Sequence, residues 1–290
     1  MGPVGSVASI WRYPVKSMMG DPSPSLPVTT NGVVGDRGWA VRDELRGGIR
    51  GAKKIGGLMR LHARYVDEPR GSDVSTDVEI SAPDGQTIRS DDEDVDARLS
   101  GLLDHPVTLC PLRPATDVDH YRRGAPDTDD FDAELRAMFG RDPGDPLPTF
   151  EGYPLDVLTE FESPPGTYFD LAPIHVITNR SLETLAALAP EATFDVRRFR
   201  PNIVVTVGRD VDGPFPEQVW LGRRLRVGEV ELEVTLPSVR CVMVTRDFAD
   251  LPHDRGVLRA IIDHADQNIG VYANVVQSGT LGTGTAVELL

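Results

Sequence analysis

The 290-residue chain carries 30 Lys plus Arg against 45 Asp plus Glu, a formal net charge of −15 at pH 7, with only two cysteines. That length suits two domains or one long β domain. The acidic surface argues against a nucleic-acid partner, and two cysteines exclude a disulfide-rich scaffold or a cysteine-only zinc or iron–sulfur cage. The 28 glycines and 24 prolines predict many turns between short elements.

The N-terminus has no signal-peptide pattern and no apolar run reaches the roughly 18 residues of a bilayer span, so no membrane span and a reduced cytoplasmic location are expected. Val7–Tyr13 reads as a strand stopped by Pro14. Leu26–Thr30 runs into an Asn31-Gly32 turn, and Trp39–Arg42 resumes extended chain before Gly47-Gly48. Leu58–Val66 suits either strand or short helix. Val78–Ile80 and Thr87–Arg89 flank Pro83-Asp84-Gly85 as a hairpin. Asp92–Leu103 has a helical stripe of Val95, Leu99 and Leu102, and Val107–Pro111 is a strand carrying Cys110.

Residues 114–149 form an exposed connection with a small helix near Phe131–Phe139. Ile174–Thr178 then reads as a strand, followed by a helix over Ser181–Leu188 capped by Ser181 or Asn179. Ile203–Val207, Leu232–Leu236, Val242–Thr245 and Val271–Val276 are further strands. Trp220-Leu221-Gly222 is a turn before Leu225–Val227, and the glycines of 279–284 mark a hairpin turn. Strands outnumber helices without regular alternation, which predicts a mainly β fold, a barrel with a few packed helices. The acidic runs at 91–96 and 127–134 lack EF-hand spacing and read as solvated surface.

Cys241 follows Arg240, which favours a thiolate; such a sulfur can attack sulfur or carbon, or ligate a soft metal. The same residue also fits a buried cysteine at the start of a strand. The pair Cys110 and Cys241 leaves one disulfide open. Lys16-Ser17 follows a strand end, Asp36 can orient Arg37, and Arg197, Arg198 and Arg200 precede Pro201-Asn202; together these groups can hold a phosphate. Each alone suits a structural role, as does His175 in its alternating strand. No dinucleotide fingerprint, phosphate loop, zinc-protease or nucleophile-elbow motif occurs.

Taken in order, Tyr13-Pro14-Val15-Lys16-Ser17, Gly32-Val33-Val34-Gly35-Asp36-Arg37, Trp39, Pro173-Ile174-His175-Val176-Ile177-Thr178, Ser181-Leu182, Arg198-Phe199-Arg200-Pro201-Asn202-Ile203, Trp220, Gly228, Arg240-Cys241, Gly270-Val271-Tyr272 and Gly279-Thr280 resemble the MOSC-domain family with its N-terminal β-barrel companion. The resemblance implies an N-terminal MOSC β-barrel domain over 1–113 and a MOSC domain, of pyruvate-kinase-type barrel, over 114–290. It implies a molybdenum cofactor of the molybdopterin type, ligated by Cys241. Lys16, Ser17, Arg37, Thr178, Ser181, Arg200, Asn202 and Arg240 would contact that cofactor, with Tyr272 and Asn274 behind them.

The implied activity is reduction of N-hydroxylated compounds such as amidoximes and hydroxylamines. With two cysteines and no appended ferredoxin-like domain, the electrons would come from separate redox proteins. The alternatives are sulfur transfer through a Cys241 persulfide, fed by a separate sulfur donor, and a non-enzymatic cofactor carrier. Three departures bear on substrate shape. Arg246-Asp247-Phe248-Ala249-Asp250-Leu251 replaces an Asp-Pro-x-Thr-Gly turn, Glu217 stands alone where an acidic pair is usual, and Ile269 replaces an aromatic residue.

Overall fold

A computed structural model of the chain describes residues 2–71, 75–208 and 210–290. Its centre is a β-barrel. Strands Ile203–Val207, Ile174–Thr178, Asn268–Gln277, Val230–Val239, Arg224–Val227, Ala286–Leu289 and Pro3–Arg12 pair in that order, and Pro3–Arg12 closes the ring by pairing with Ile203–Val207. Closure leaves no long open edge. The alternation that marks these segments in sequence is spent on the barrel interior, where Val205, Ile174, Val271, Val234, Leu225, Val287 and Ile10 meet in one core.

The parallel strand pair of the barrel, Ile174–Thr178 beside Ile203–Val207, needs a crossover, and the helix Asn179–Leu188 supplies it. Its cap is Thr178 rather than Ser181 or Asn179. Thr178 ends the strand with extended backbone (φ −102°, ψ 149°) and its hydroxyl accepts the Ser181 N–H. A second apolar layer packs this helix and Arg255–His264 against the outer face of the same strands through Ile177, Leu185, Val257 and Ile261.

The remaining N-terminal residues build three small sheets: Trp39–Asp43 with Ile49–Arg50 and Val107–Pro111, His62–Tyr65 with Val78–Ser81 and Thr87–Arg89, and Ser25–Thr29 with Gly32–Val33 and Gly279–Gly282. The first two share a core of Leu58, Met59, Ile80 and Leu99 that extends to the partly buried Cys241, whereas Leu26, Val28, Val33 and Leu281 of the third join the barrel core. The segment 58–66 therefore holds both readings in turn, a 3-10 helix at Gly56–Arg60 and then a strand.

Two expectations are corrected. Val242–Thr245 is a 3-10 helix, not a strand: Thr245 Oγ1 donates to the Val242 carbonyl and closes the turn on itself. Gly279–Gly282 is a strand on Ser25–Val28, and the turn begins only at Thr283. The acidic runs are mostly exposed; within them Asp127 and the more buried Glu134 meet Lys54 in a cluster that also takes in Arg50. Both cysteines are free. Among the described residues no helix is long and apolar enough to cross a membrane.

Candidate functional site

Where the first strand leaves the barrel, Tyr13 is buried and its ring becomes a platform. The Arg200 guanidinium lies 4.2 Å over its centroid and that of Arg37 lies 5.2 Å away. Asp36 ties the arrangement together: one carboxylate oxygen accepts the Tyr13 N–H at 2.9 Å and the other pairs with Arg37. This is the orienting role expected of Asp36. Ser17, Arg37 and Arg200 all have positive φ, at 68°, 54° and 52°. Non-glycine residues rarely adopt that conformation, and such strain concentrates where side chains must converge on a site.

Arg37 and Arg200 reach a cleft of about 80 Å³ lined also by Lys53, Asp170, His175, Asn202, Arg240, Cys241 and Tyr272. Five basic residues, Arg198 among them, thus line it with one carboxylate, in a chain of net charge −15. Cys241 sits at the start of the 3-10 helix, half-buried. Arg240 is anchored by Ser238 Oγ at 2.7 Å and the Phe199 carbonyl at 3.0 Å, with His175 Nε2 at 3.4 Å. Two buried guanidinium nitrogens here, Arg200 Nη2 and Arg240 Nε, have no hydrogen-bond partner. Buried unpaired donors are costly, so they mark a place for an acceptor. Burial and the repulsion of Arg37 bring the Arg200 pKa down to about 10, still charged at neutral pH. Burial, then Arg240 and Arg37, push His175 well below its usual range, so its ring is neutral.

The structure places the other expected residues elsewhere. The Lys16 ammonium is spent on Ser163 Oγ, the Tyr168 carbonyl and Asp170, and Ser17 Oγ accepts the Ala52 N–H. Thr178 and Ser181 turn their hydroxyls into the buried Glu217, donating to Oε2 at 2.6 and 2.5 Å. Glu217 also accepts the Gly270 N–H at 3.1 Å, and burial raises its pKa. Asn202 lines the cleft, yet its Oδ1 accepts the His175 N–H and its backbone N–H donates to the His175 carbonyl. Asn274 is exposed on the barrel opposite Glu233. Of the arginine run, Arg197 pairs with Asp195 and Asp250. Arg198 is fully buried against backbone carbonyls. Only Arg200 offers an unpaired nitrogen to the cleft. Lys53 and Asp170 had no local signal in sequence, and His175 had only the alternation of its strand.

Gly270 supports this wall. Its φ is +79°, and a Cβ there would overlap His175 Nε2 and lie 2.9 Å from the Val176 carbonyl. Gly270→Ala is expected to cost about 2–4 kcal/mol, the sum of a strained backbone and overpacking. Urea unfolding measures it; a change below about 0.5 kcal/mol, the usual scatter of surface substitutions, would contradict this placement of His175.

Residues 4–108 match the MOSC N-terminal beta barrel domain and residues 165–288 match the MOSC domain. The chain belongs to the MOSC proteins that carry both parts. It is 27% identical over 305 residues to mitochondrial amidoxime reducing component 2 of Homo sapiens, covering 98% of this chain and 83% of that protein. The Bos taurus protein of the same name is 29% identical over 133 residues, 41% of this chain and 38% of that one. The solved YUAD protein from Bacillus subtilis aligns over 98% of this chain and 94% of its own at 11% identity, with a TM-score of 0.44.

Proposed function

We propose that the chain is a molybdenum-cofactor-dependent oxidoreductase that reduces N-hydroxylated compounds, amidoximes and hydroxylamines, with electrons from separate redox proteins. The observation that carries this reading is one thiol, Cys241, set beside the unpaired guanidinium nitrogens of Arg200 and Arg240 in a cationic cleft. The similarity to the amidoxime reducing component over 98% of the chain supports the choice of substrate class.

The residues present suit the cofactor. Among the described residues no three His, Cys, Asp or Glu side chains gather as a metal site, so a metal at Cys241 must bring its other donors with it. A pterin dithiolene does that, and Cys241 adds a further soft sulfur. When bound, the cofactor supplies the two-electron redox chemistry.

The protein does the rest. Arg37, Arg200 and Arg240 offer charge-assisted hydrogen bonds to phosphate oxygens from positions fixed by Tyr13 and Phe199. Neutral His175 adds no charge and sits against Arg240 at its Nε2. Tyr272, whose ring lies 5.5 Å from that of His175 and whose pKa burial raises, keeps its phenol protonated.

The test is metal and pterin analysis of protein purified from a cofactor-competent host, followed by benzamidoxime reduction with a chemical electron donor. About one molybdenum and one pterin per chain, with turnover, is expected. Folded protein without molybdenum ends this reading, and a Cys241 persulfide in its place would establish sulfur transfer.

A further inference from the structure

We propose that Asp170 is a built-in counter-ion: its carboxylate holds the cationic cleft closed and swings out when an anionic ligand takes its place. This rests on the anion-binding half of the function proposed above, not on the identity of the metal.

Three observations carry it. The Lys16 ammonium has three hydrogens, and one short segment takes all of them: Ser163 Oγ at 3.1 Å, the Tyr168 carbonyl at 2.9 Å and Asp170 at 2.8 Å. While Asp170 is in place, the buried Lys16 behind the cleft has no hydrogen left to offer. The Asp170 charge also acts on Lys53, Arg37 and Arg200, with which it shares the cleft. Partial desolvation on its cleft side works against ionisation of Asp170, yet Lys16 and Lys53 overcome it and hold the acid far below the usual carboxylate range. It is a permanent anion in an anion site.

The second observation is size. The cleft encloses about 80 Å³, whereas small-molecule sites enclose roughly 300–1,000 Å³. Asp170 is one of its walls.

The third is that the backbone of this wall is little restrained. Tyr168 is buried, its hydroxyl bonded to the Pro111 carbonyl at 2.9 Å and to His120 at 2.6 Å, and the strand begins at Ile174. Between these anchors, Phe169, Asp170, Leu171 and Ala172 make no backbone hydrogen bond among the described residues. The Asp170 side chain is 43% exposed, so solvent is open to it as it leaves. Displacement is then an exchange of one anion for another on the same cations.

The probe is inorganic pyrophosphate, titrated calorimetrically at fixed ionic strength into the full chain made in a host that cannot synthesise molybdopterin. Asp170→Asn removes the internal competitor, so it should bind pyrophosphate about tenfold tighter or more than the wild type. Asp170→Glu, which keeps the charge, should stay near the wild type. Equal or weaker binding by Asp170→Asn overturns the proposal. If neither protein binds pyrophosphate, the anion cradle falls with it. If the holoprotein carries molybdenum but the two chains bind alike, the counter-ion alone is wrong. Limited chymotrypsin cleavage of the unmutated chain after Phe169 and Leu171 gives a reading that does not depend on folding of a variant: pyrophosphate should speed cutting there as the segment leaves the cleft. Unchanged or slower cutting at saturation overturns the proposal.

Discussion

Arg198→Ala is expected to lower the free energy of unfolding by about 3–5 kcal/mol, from a large buried void together with carbonyls left without donors. Arg198 has no exposed surface. Its guanidinium donates to four carbonyls: Thr193 at 3.1 Å, Val244 at 3.3 Å, Arg246 at 2.9 Å and Pro252 at 2.8 Å. No carboxylate lies within ion-pair distance among the described residues, so the backbone dipoles carry the charge, and burial lowers its pKa. Alanine leaves a large void and carbonyls without donors in one step. Arg198→Lys should rescue little, because a single ammonium cannot span acceptors that a planar fork reaches from several sides. Urea denaturation checks both variants, and a loss below about 1 kcal/mol would make the four bonds incidental. Two of the acceptors, Val244 and Arg246, belong to the turn that follows Cys241. Hydrogen exchange at residues 242–246 should therefore rise in Arg198→Ala well beyond what global unfolding accounts for.

The same residue shows how far sequence carries the site. Arg197, Arg198 and Arg200 look alike in a linear reading, three cations before Pro201-Asn202. The backbone separates them: Arg200 alone turns to positive φ and stacks on Tyr13, while Arg198 points back into the protein. Thr178 and Ser181 carry the right hydroxyls in the right motif, but Glu217, 36 residues beyond Ser181, captures both. Convergence of this kind is non-local, and no spacing records it. Lys53 and Asp170 are the extreme case. They meet across 117 residues of chain, and their importance comes only from the charges that surround them.

The fold was more legible because its signal is local. Period-two alternation marks the barrel strands, and burial follows it along Leu232, Val234 and Val271, Ala273 and Val275. Where alternation misleads, a specific contact explains it. Val242-Met243-Val244-Thr245 is as β-prone as any strand, but the Thr245 hydroxyl and the Arg198 fork claim its carbonyls, and the chain coils instead. The glycines at 279 and 282 hide a strand because its partner, Ser25–Val28, lies at the other end of the chain.

Cys241→Ser should lower molybdenum retention at least about tenfold and benzamidoxime reduction at least about 100-fold, while leaving the fold intact; outer partners of a metal ligand already cost 10–100-fold, and the ligand itself should cost no less. The thiol is half-buried at the start of a 3-10 helix and among the described residues forms no hydrogen bond that a hydroxyl would disrupt, so stability should change by less than about 1 kcal/mol. Cys110→Ser is the matched control. Cys110 is buried with Ala40, Ile49, Tyr121 and Tyr168, its weak contact is the Thr108 carbonyl at 3.8 Å, and burial pushes its thiol pKa up. An inert, apolar-packed sulfur of this kind should cost about 1 kcal/mol of stability on becoming a hydroxyl and leave metal content and turnover unchanged. The pair of variants separates two explanations that either alone would confuse. If both lose activity in proportion to stability, the site is failing through the fold. If Cys241→Ser keeps its molybdenum and its turnover, Cys241 is not the ligand, and the cationic cleft must hold its occupant by charge alone. Metal analysis, unfolding curves and turnover on the same preparations decide between these outcomes.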